Sequence, residues 1–109
     1  MRRLFVYGTL LDPVLVSELT GRPVTLQPAD LDGYNRVRLR GTPYPTLRRA
    51  RGRVAGAVLL ADAQSVRRLT AYEGPRYRLV RVQPRIAGGA TKVEAYAWIA
   101  PDATNLPWP

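Results

Sequence analysis

Short apolar runs and period-two alternation define the strand-like segments of this chain. Residues 29–41, "ADLDGYNRVRLRG", alternate apolar with polar side chains, which predicts a half-buried strand with a break near Gly33. Residues 53–61, "RVAGAVLLA", are apolar almost throughout, as in a central strand buried on both faces. The turn-like "AGGA" at 87–90 separates two further β-rich segments and predicts a hairpin. The strand-like segments are 2–6, 29–41, 53–61, 76–86 and 91–100.

Two short helices are predicted between these strands. Asp12 precedes Pro13 and the segment "VLVSEL", so it is placed to cap a helix whose first residue is proline. Gly21 is placed to end that helix. Asp62 is placed to cap a second helix, residues 63–72, in which apolar side chains recur at helical spacing. That apolar face consists of Val66, Leu69 and Tyr72.

Prolines mark two segments outside the regular elements. Pro43 and Pro45 cannot both sit inside a strand ladder, so residues 41–52 are predicted to form a loop. Residues 101–109 form a proline-rich ending, in which Trp108 is expected to pack back on the rest of the chain. Strands interrupted by two short helices indicate a mixed α+β fold. At 109 residues the chain is expected to be a single domain with one core.

The net charge is strongly positive, at +9, and only Lys92 among the 17 basic residues is not an arginine. A field of this sign attracts nucleic acids, phosphorylated molecules and acidic small substrates. The arginines are scattered, however, and Arg36, Arg38 and Arg40 alternate as on the solvated face of a strand. The pattern favours a generic basic surface, so no specific nucleic-acid partner is expected.

The absence of histidine and cysteine narrows the possible chemistry. It excludes a serine–histidine triad, a cysteine nucleophile, disulfides, and metal sites built from imidazole or thiolate. The eight carboxylates are scattered without a metal-like cluster, so we expect no metal and no cofactor. A catalyst in this chain therefore has to use a carboxylate, a tyrosine or Lys92.

Glu73 is the one acidic residue that local structure does not account for. It lies in "AYEGPRY", after a predicted helix, before a Gly-Pro turn, and between Tyr72 and Tyr77. A carboxylate desolvated by aromatic neighbours has a raised pKa and suits a general base. The pattern leaves open an exposed glutamate paired with Arg76 or Arg78. The other acids fall in caps, turns, strand entries or surfaces: Asp12, Glu18, Asp30, Asp32, Asp62, Glu94 and Asp102.

A glycine follows the first strand in "VYGTLLDP". Because Gly8 has no Cβ, a ligand can approach the backbone there, and free N–H groups before a helix can hold a carboxylate or an oxyanion. Strand–glycine–helix turns also occur without any ligand. This segment alone therefore leaves both interpretations open.

Five segments, in this order, resemble the gamma-glutamylcyclotransferase-like family. They are "LFVYGTLLDP" at 4–13, "ADLDGY" at 29–34, "YPTL" at 44–47, "VAGAVLL" at 54–60 and "LTAYEGPRYRLVRV" at 69–82. The resemblance spans nearly the whole chain and is closer to the branch of gamma-glutamylamine cyclotransferases and plant avirulence-induced-gene-like proteins. "VYGTL" with a downstream "YEG..Y" is specific as a pair. It implies a small mixed α+β fold with a barrel-like, twisted β-sheet flanked by short helices.

The same resemblance implies a reaction and the residues that carry it. The reaction is the intramolecular cyclisation of a gamma-glutamyl amine or peptide to 5-oxoproline, with release of the free amine. Glu73 would accept and return the proton. Thr70 departs from the family pattern, in which relatives commonly carry an aspartate, and this bears on the geometry of the loop. The residues that would hold the substrate or line its pocket are Tyr7, Gly8, Thr9, Leu10 and Tyr77.

Two other functions stay open beside the enzyme. The same fold would bind a small carboxylate without turnover if Arg76 neutralised Glu73. A nucleic-acid-binding module would use the positive charge and the six tyrosines, although no RNP-like stacking platform occurs.

The first residues and the longest apolar run bear on location. The apolar start is too short for a signal peptide, and no run approaches the ~20 residues needed to cross a bilayer. We therefore expect a soluble cytoplasmic protein, a monomer or a homodimer, whose partner is a small gamma-glutamyl substrate and not a membrane.

Overall fold

The computed structural model describes residues 1–109. It consists of one curled, half-barrel sheet of seven strands, together with two helices. The helices are α1 (Pro13–Thr20) and α2 (Ala63–Glu73), and a 3₁₀ turn (Thr9–Leu11) precedes α1. The predicted mixed α+β, barrel-like fold is confirmed. The strands are β1 (Arg2–Val6), β2 (Gln27–Leu39), β3 (Pro45–Ala61), β4 (Arg78–Val82), β5 (Arg85–Ile86), β6 (Ala95–Ile99) and β7 (Ala103–Pro107).

The strands follow the order β4-β6-β1-β3-β2-β5, and β7 also pairs with β2. β1 and β6 are parallel, whereas the other pairs are antiparallel. The register of β2 on β3 shifts between Asp32 and Tyr34, which confirms the predicted break near Gly33. β4 and β6 pair as the predicted hairpin requires, and Arg85 of β5 still bridges to Lys92 across its turn, while β5 also pairs with β2.

β1 is buried on both faces and separates two apolar clusters. Because alternate residues of a strand point to opposite faces, Phe5 enters one cluster while Leu4 and Val6 enter the other. The second cluster also takes in Val16 of α1 and Leu69 of α2, so both helices pack on that face. The loop after β1 is consequently held where the sheet and the two helices meet.

Both helices begin at their predicted caps. The carboxylates of Asp12 and Asp62 accept N–H groups from the first turns of α1 and α2. α1 starts at Pro13 and ends before Gly21, as predicted. α2 continues to Glu73, so this residue ends the helix and does not follow it. Neither helix is long and apolar enough to cross a membrane.

Two proline-containing segments outside the predicted strands contain strands. The predicted loop 41–52 is wrong from Pro45 onward, because β3 begins there. Proline is tolerated at the first residue of a strand, since its missing N–H costs the sheet few hydrogen bonds at that position. The ending 101–109 contains β7, which pairs with β2 at the margin of the sheet. Trp108 packs back as predicted, with its ring over the Arg36 guanidinium.

Candidate active site

All six residues predicted for the site line one pocket between the loop after β1 and the end of α2. The cavity measures about 190 Å³. At about 30 Å³ per water, this is room for roughly six water molecules, so an amino-acid-sized group fits inside and a larger ligand extends through the mouth. The six residues are Tyr7, Gly8, Thr9, Leu10, Glu73 and Tyr77.

Six further residues line the pocket without having been assigned to the site from the sequence. Tyr72 had been placed on the apolar face of the second helix, yet 41% of it is exposed and its hydroxyl donates to the Thr9 hydroxyl at 3.1 Å. The sequence did single out the "YPTL" segment as part of the family resemblance, and its Tyr and Pro both line the pocket. The neighbouring residues, however, indicated no role for either. The six are Phe5, Val6, Tyr44, Pro45, Tyr72 and Trp98.

The turn after α2 brings Glu73 and Tyr77 to the same pocket. The N–H of Gly74 donates to the Thr70 carbonyl at 3.1 Å and ends the helix. Gly74 has a φ of 92°, a conformation that disfavours any residue with a Cβ. The chain therefore leaves the helix directly after Glu73, and the N–H of Tyr77 donates back to the Gly74 carbonyl at 3.3 Å.

The Glu73 carboxylate is largely buried without a partner. It forms no ion pair and accepts no hydrogen bond from the protein, so nothing replaces the water that burial removes. Burial raises its pKa from 4.5 to about 7, where a carboxylate can both accept and return a proton near neutral pH. Glu73 is the only acidic residue of the pocket, and no three metal-ligating side chains converge elsewhere in the chain.

The interpretation of Glu73 as an exposed, arginine-paired residue is wrong. Arg76 binds the Asp102 carboxylate at 3.5 Å and the Arg40 carbonyl at 3.0 Å. Arg78 is in no ion pair. The positive charges next to Glu73 in the sequence therefore leave its carboxylate uncompensated.

Tyr7 and Tyr77 flank Glu73 but direct their hydroxyl protons elsewhere. The Tyr7 hydroxyl donates to the Trp98 carbonyl, and the Tyr77 hydroxyl donates to the Pro45 carbonyl at 2.6 Å. Burial, followed by the Glu73 charge, raises the pKa of Tyr77 to about 12. Burial first, then Tyr77 and Glu73, raises the pKa of Tyr7 still further. Both phenols stay protonated at neutral pH and donate to backbone carbonyls, which leaves the carboxylate without a donor.

The loop after β1 offers backbone donors to a ligand. The N–H groups of Tyr7 and Gly8 donate to no atom of the protein. A Cβ at Gly8 would lie 2.8 Å from Cγ of Pro45, so only glycine allows this close approach. The Arg36 guanidinium donates to the Tyr7 carbonyl at 2.8 Å and ties the loop to β2. Such fixed N–H groups are suited to a carboxylate or an oxyanion.

Arg36 was predicted to lie on a solvated strand face with Arg38 and Arg40, and for Arg36 this is wrong. β7 pairs with β2 and brings the Trp108 ring to 5.3 Å from the Arg36 guanidinium, which leaves that side chain half-buried. Arg38 and Arg40 are exposed, as predicted.

Thr70 supplies the hydrogen-bond acceptor for the Trp98 ring. The indole N–H of Trp98 donates to the Thr70 hydroxyl oxygen at 3.0 Å. Trp98 lines the pocket, and its carbonyl accepts the Tyr7 hydroxyl. The acceptor for the indole on this turn of α2 is therefore the Thr70 hydroxyl.

Comparisons with known proteins agree with this fold. Residues 4–108 match the family model described as "Gamma-glutamyl cyclotransferase, AIG2-like". The chain is 34% identical over 107 residues to Protein AIG2 C of Arabidopsis thaliana, covering 94% of this chain and 64% of that protein. The chain therefore belongs to the gamma-glutamyl cyclotransferase, AIG2-like family. It spans less than two thirds of the length of the curated relatives it matches.

Solved structures have the same fold. The solution structure of an Arabidopsis thaliana protein superposes with a TM-score of 0.84 at 26% identity, covering 95% of this chain and 71% of that one. The crystal structure of an AIG2-like protein from Mus musculus gives a TM-score of 0.78 at 20% identity, covering 100% of this chain and 86% of that one. At that identity the mouse protein is evidence for the fold alone.

Proposed function

We propose that this protein cyclises a gamma-glutamyl amine or peptide to 5-oxoproline and releases the free amine. The observation that carries the proposal is the Glu73 carboxylate, which lies in an apolar pocket without a partner and has a pKa of about 7. Membership of a gamma-glutamyl cyclotransferase family supports a reaction of this class. The fold alone would not, because one fold hosts many activities.

The substrate supplies its own nucleophile in this reaction. Its α-amine attacks its γ-carbonyl carbon, the new C–N bond closes a five-membered ring, and the bond from that carbon to the amide nitrogen breaks. No water and no enzyme nucleophile are consumed. Holding the substrate in its cyclising shape draws on effective molarities of about 10⁵–10⁸ M. A chain without histidine and cysteine is therefore equipped for it.

Glu73 would move the proton. It would take one from the α-ammonium group of the substrate and return one to the departing nitrogen, and a pKa near neutrality suits both transfers. The N–H groups of Tyr7 and Gly8 would bind the substrate carboxylate or the developing oxyanion, since they donate to no protein atom. The other residues proposed to contact the substrate are Thr9, Leu10 and Tyr77, which line the pocket.

Release of 5-oxoproline from a panel of gamma-glutamyl amines and dipeptides tests the proposal. The parent protein should give product, and Glu73→Gln should lose about 10²–10⁴-fold in rate because the base is removed at almost constant shape. Glu94→Gln is the matched control, since Glu94 is exposed and does not line the pocket. It should keep the parent rate.

The remaining outcomes separate the alternatives. No product from either protein, together with calorimetric binding of 5-oxoproline that Gly8→Ala abolishes, would favour a small-carboxylate-binding protein. Equal product from the parent and Glu73→Gln would exclude Glu73 as the base.

A further inference from the structure

We infer that the mouth of the Glu73 pocket selects gamma-glutamyl amides whose leaving amine carries an uncharged aromatic or apolar group. The inference rests on the proposed function and specifies its substrate class. The residues that carry this inference are Tyr44 and Tyr72, to which the proposed reaction assigns no role.

The pocket has a buried inner end and an exposed aromatic mouth. Phe5, Tyr7 and Trp98 are almost fully buried at the inner end, whereas Tyr44 and Tyr72 are 54% and 41% exposed. A gamma-glutamyl group that reacts at Glu73 occupies the inner end, because Glu73 lies close enough to the buried Tyr7 for its charge to act on that residue. The leaving amine therefore extends outward between the two exposed tyrosines.

Hydrogen bonds hold the Tyr72 side chain and the Tyr44 backbone. The Tyr72 hydroxyl donates to the Thr9 hydroxyl at 3.1 Å across the pocket. Tyr44 lies on the turn between β2 and β3, where its carbonyl accepts the N–H of Leu39 at 2.8 Å and its own N–H donates to the Thr42 hydroxyl at 3.0 Å. Two exposed aromatic rings at the mouth favour a flat apolar group over a flexible charged one.

The charges around the mouth disfavour a carboxylate on the leaving group. No arginine or lysine lines the pocket, although the chain carries 17 basic residues. Arg40 and Arg76, close in sequence to Tyr44 and Tyr77, both bind the Asp102 carboxylate, at 3.1 and 3.5 Å. The α-carboxylate of a departing amino acid would lose water there without gaining a free cation.

A second positive charge on the leaving amine is disfavoured as well. Glu73 is the only acid in the pocket and is needed for the proton transfer, while Asp102 is shared by two arginines. Uncharged amines remain the class that the mouth accommodates.

Four amides test this selection: gamma-glutamyl benzylamide, ethylamide, glycine and putrescine, compared by kcat/KM for 5-oxoproline release. The benzylamide should exceed the ethylamide by about threefold to tenfold, and the two charged amides should fall below the ethylamide. Tyr44→Ala should bring the benzylamide-to-ethylamide ratio toward one, whereas Tyr44→Phe should keep it. Because each ratio is compared between variants, the intrinsic reactivity of the two amides cancels.

A charged amide that outperforms the ethylamide would overturn the inference, and so would a ratio that Tyr44→Ala leaves unchanged. Absence of 5-oxoproline from all four amides would instead overturn the proposed reaction. Calorimetric binding of the benzylamide and the ethylamide to the parent and to Tyr44→Ala would then decide the role of the mouth separately. An equal affinity for both amides in the parent would contradict it.

Discussion

The burial that makes Glu73 suitable as a base also destabilises the folded chain. Water solvates a carboxylate in the unfolded state, whereas in the pocket no donor and no cation replaces that water. Tyr7 and Tyr77 are near enough to help, yet their hydroxyls donate to backbone carbonyls. The site therefore costs stability, as expected of a group arranged for proton transfer.

This cost has a defined pH dependence. The pKa of Glu73 is about 7 in the folded protein against 4.5 for a free side chain, so between these values the folded state binds more protons than the unfolded state. Stability therefore falls as the pH rises through this window. Glu73→Gln should raise the free energy of unfolding by about 1–3 kcal/mol at pH 8 and change it little at pH 4. Urea unfolding at both pH values measures the difference.

Glu94→Gln controls for the loss of an acidic residue from a basic protein, because Glu94 is exposed. It should show no such difference between pH 4 and pH 8. A Glu73→Gln effect of the same size at both pH values would mean that the carboxylate is not desolvated.

Residue chemistry was predictable where the sequence left few choices. Without histidine and cysteine, a single carboxylate between aromatic residues stood out, and Glu73 does line the pocket. Arg36 was not predictable, because its alternation with Arg38 and Arg40 places all three on one strand face. Its contact with Tyr7 joins residues 29 positions apart, and its cover by Trp108 comes from the other end of the chain.

At the scale of elements, one side-chain hydrogen bond couples α2 to β6 beside the pocket. The Trp98 indole N–H donates to Thr70, three residues before Glu73. Thr70→Val keeps the shape but removes the acceptor, so it should destabilise the protein by about 1–3 kcal/mol, the cost of an unpaired donor. Thr70→Ser should restore most of that stability. Urea unfolding measures both, and a shift in tryptophan emission in Thr70→Val alone would report the altered Trp98 environment.

An unchanged stability in Thr70→Val would show that water or another group satisfies the indole. A loss of equal size in Thr70→Ser would show that the threonine methyl group matters and not the hydrogen bond.

The helices were predictable and the ends of two strands were not, for one physical reason. Helix ends are fixed by local groups, here Asp12 and Asp62 at the caps and Gly21 beyond α1. Strand ends depend on distant partners. From the sequence alone, Pro45 argues against a strand, yet it is the first residue of β3. Similarly, β7 forms in a proline-rich segment because it can pair with β2.

At the scale of the whole molecule, the positive charge lies outside the pocket and is mostly unpaired. Five arginines form ion pairs: Arg22, Arg40, Arg53, Arg76 and Arg85. Arg2 and Arg81 both lie over the Tyr96 ring, at 4.6 and 5.9 Å from its centre. Such a surface attracts any polyanion without a built site for one.

Nucleic-acid binding by this protein should therefore be weak, steeply salt-dependent and indifferent to sequence. Each phosphate contacted by single-stranded RNA contributes a slope of about −0.7 in log affinity against log salt, so three contacts lose about tenfold between about 50 and 150 mM salt. Fluorescence anisotropy with unrelated labelled RNAs across this range measures it. Arg48→Gln and Arg51→Gln, at exposed positions outside the pocket, should each lessen the slope or leave it unchanged, equally for every RNA. Affinity that persists at physiological salt with a tenfold preference for one RNA would instead mean that the basic surface is a specific nucleic-acid site.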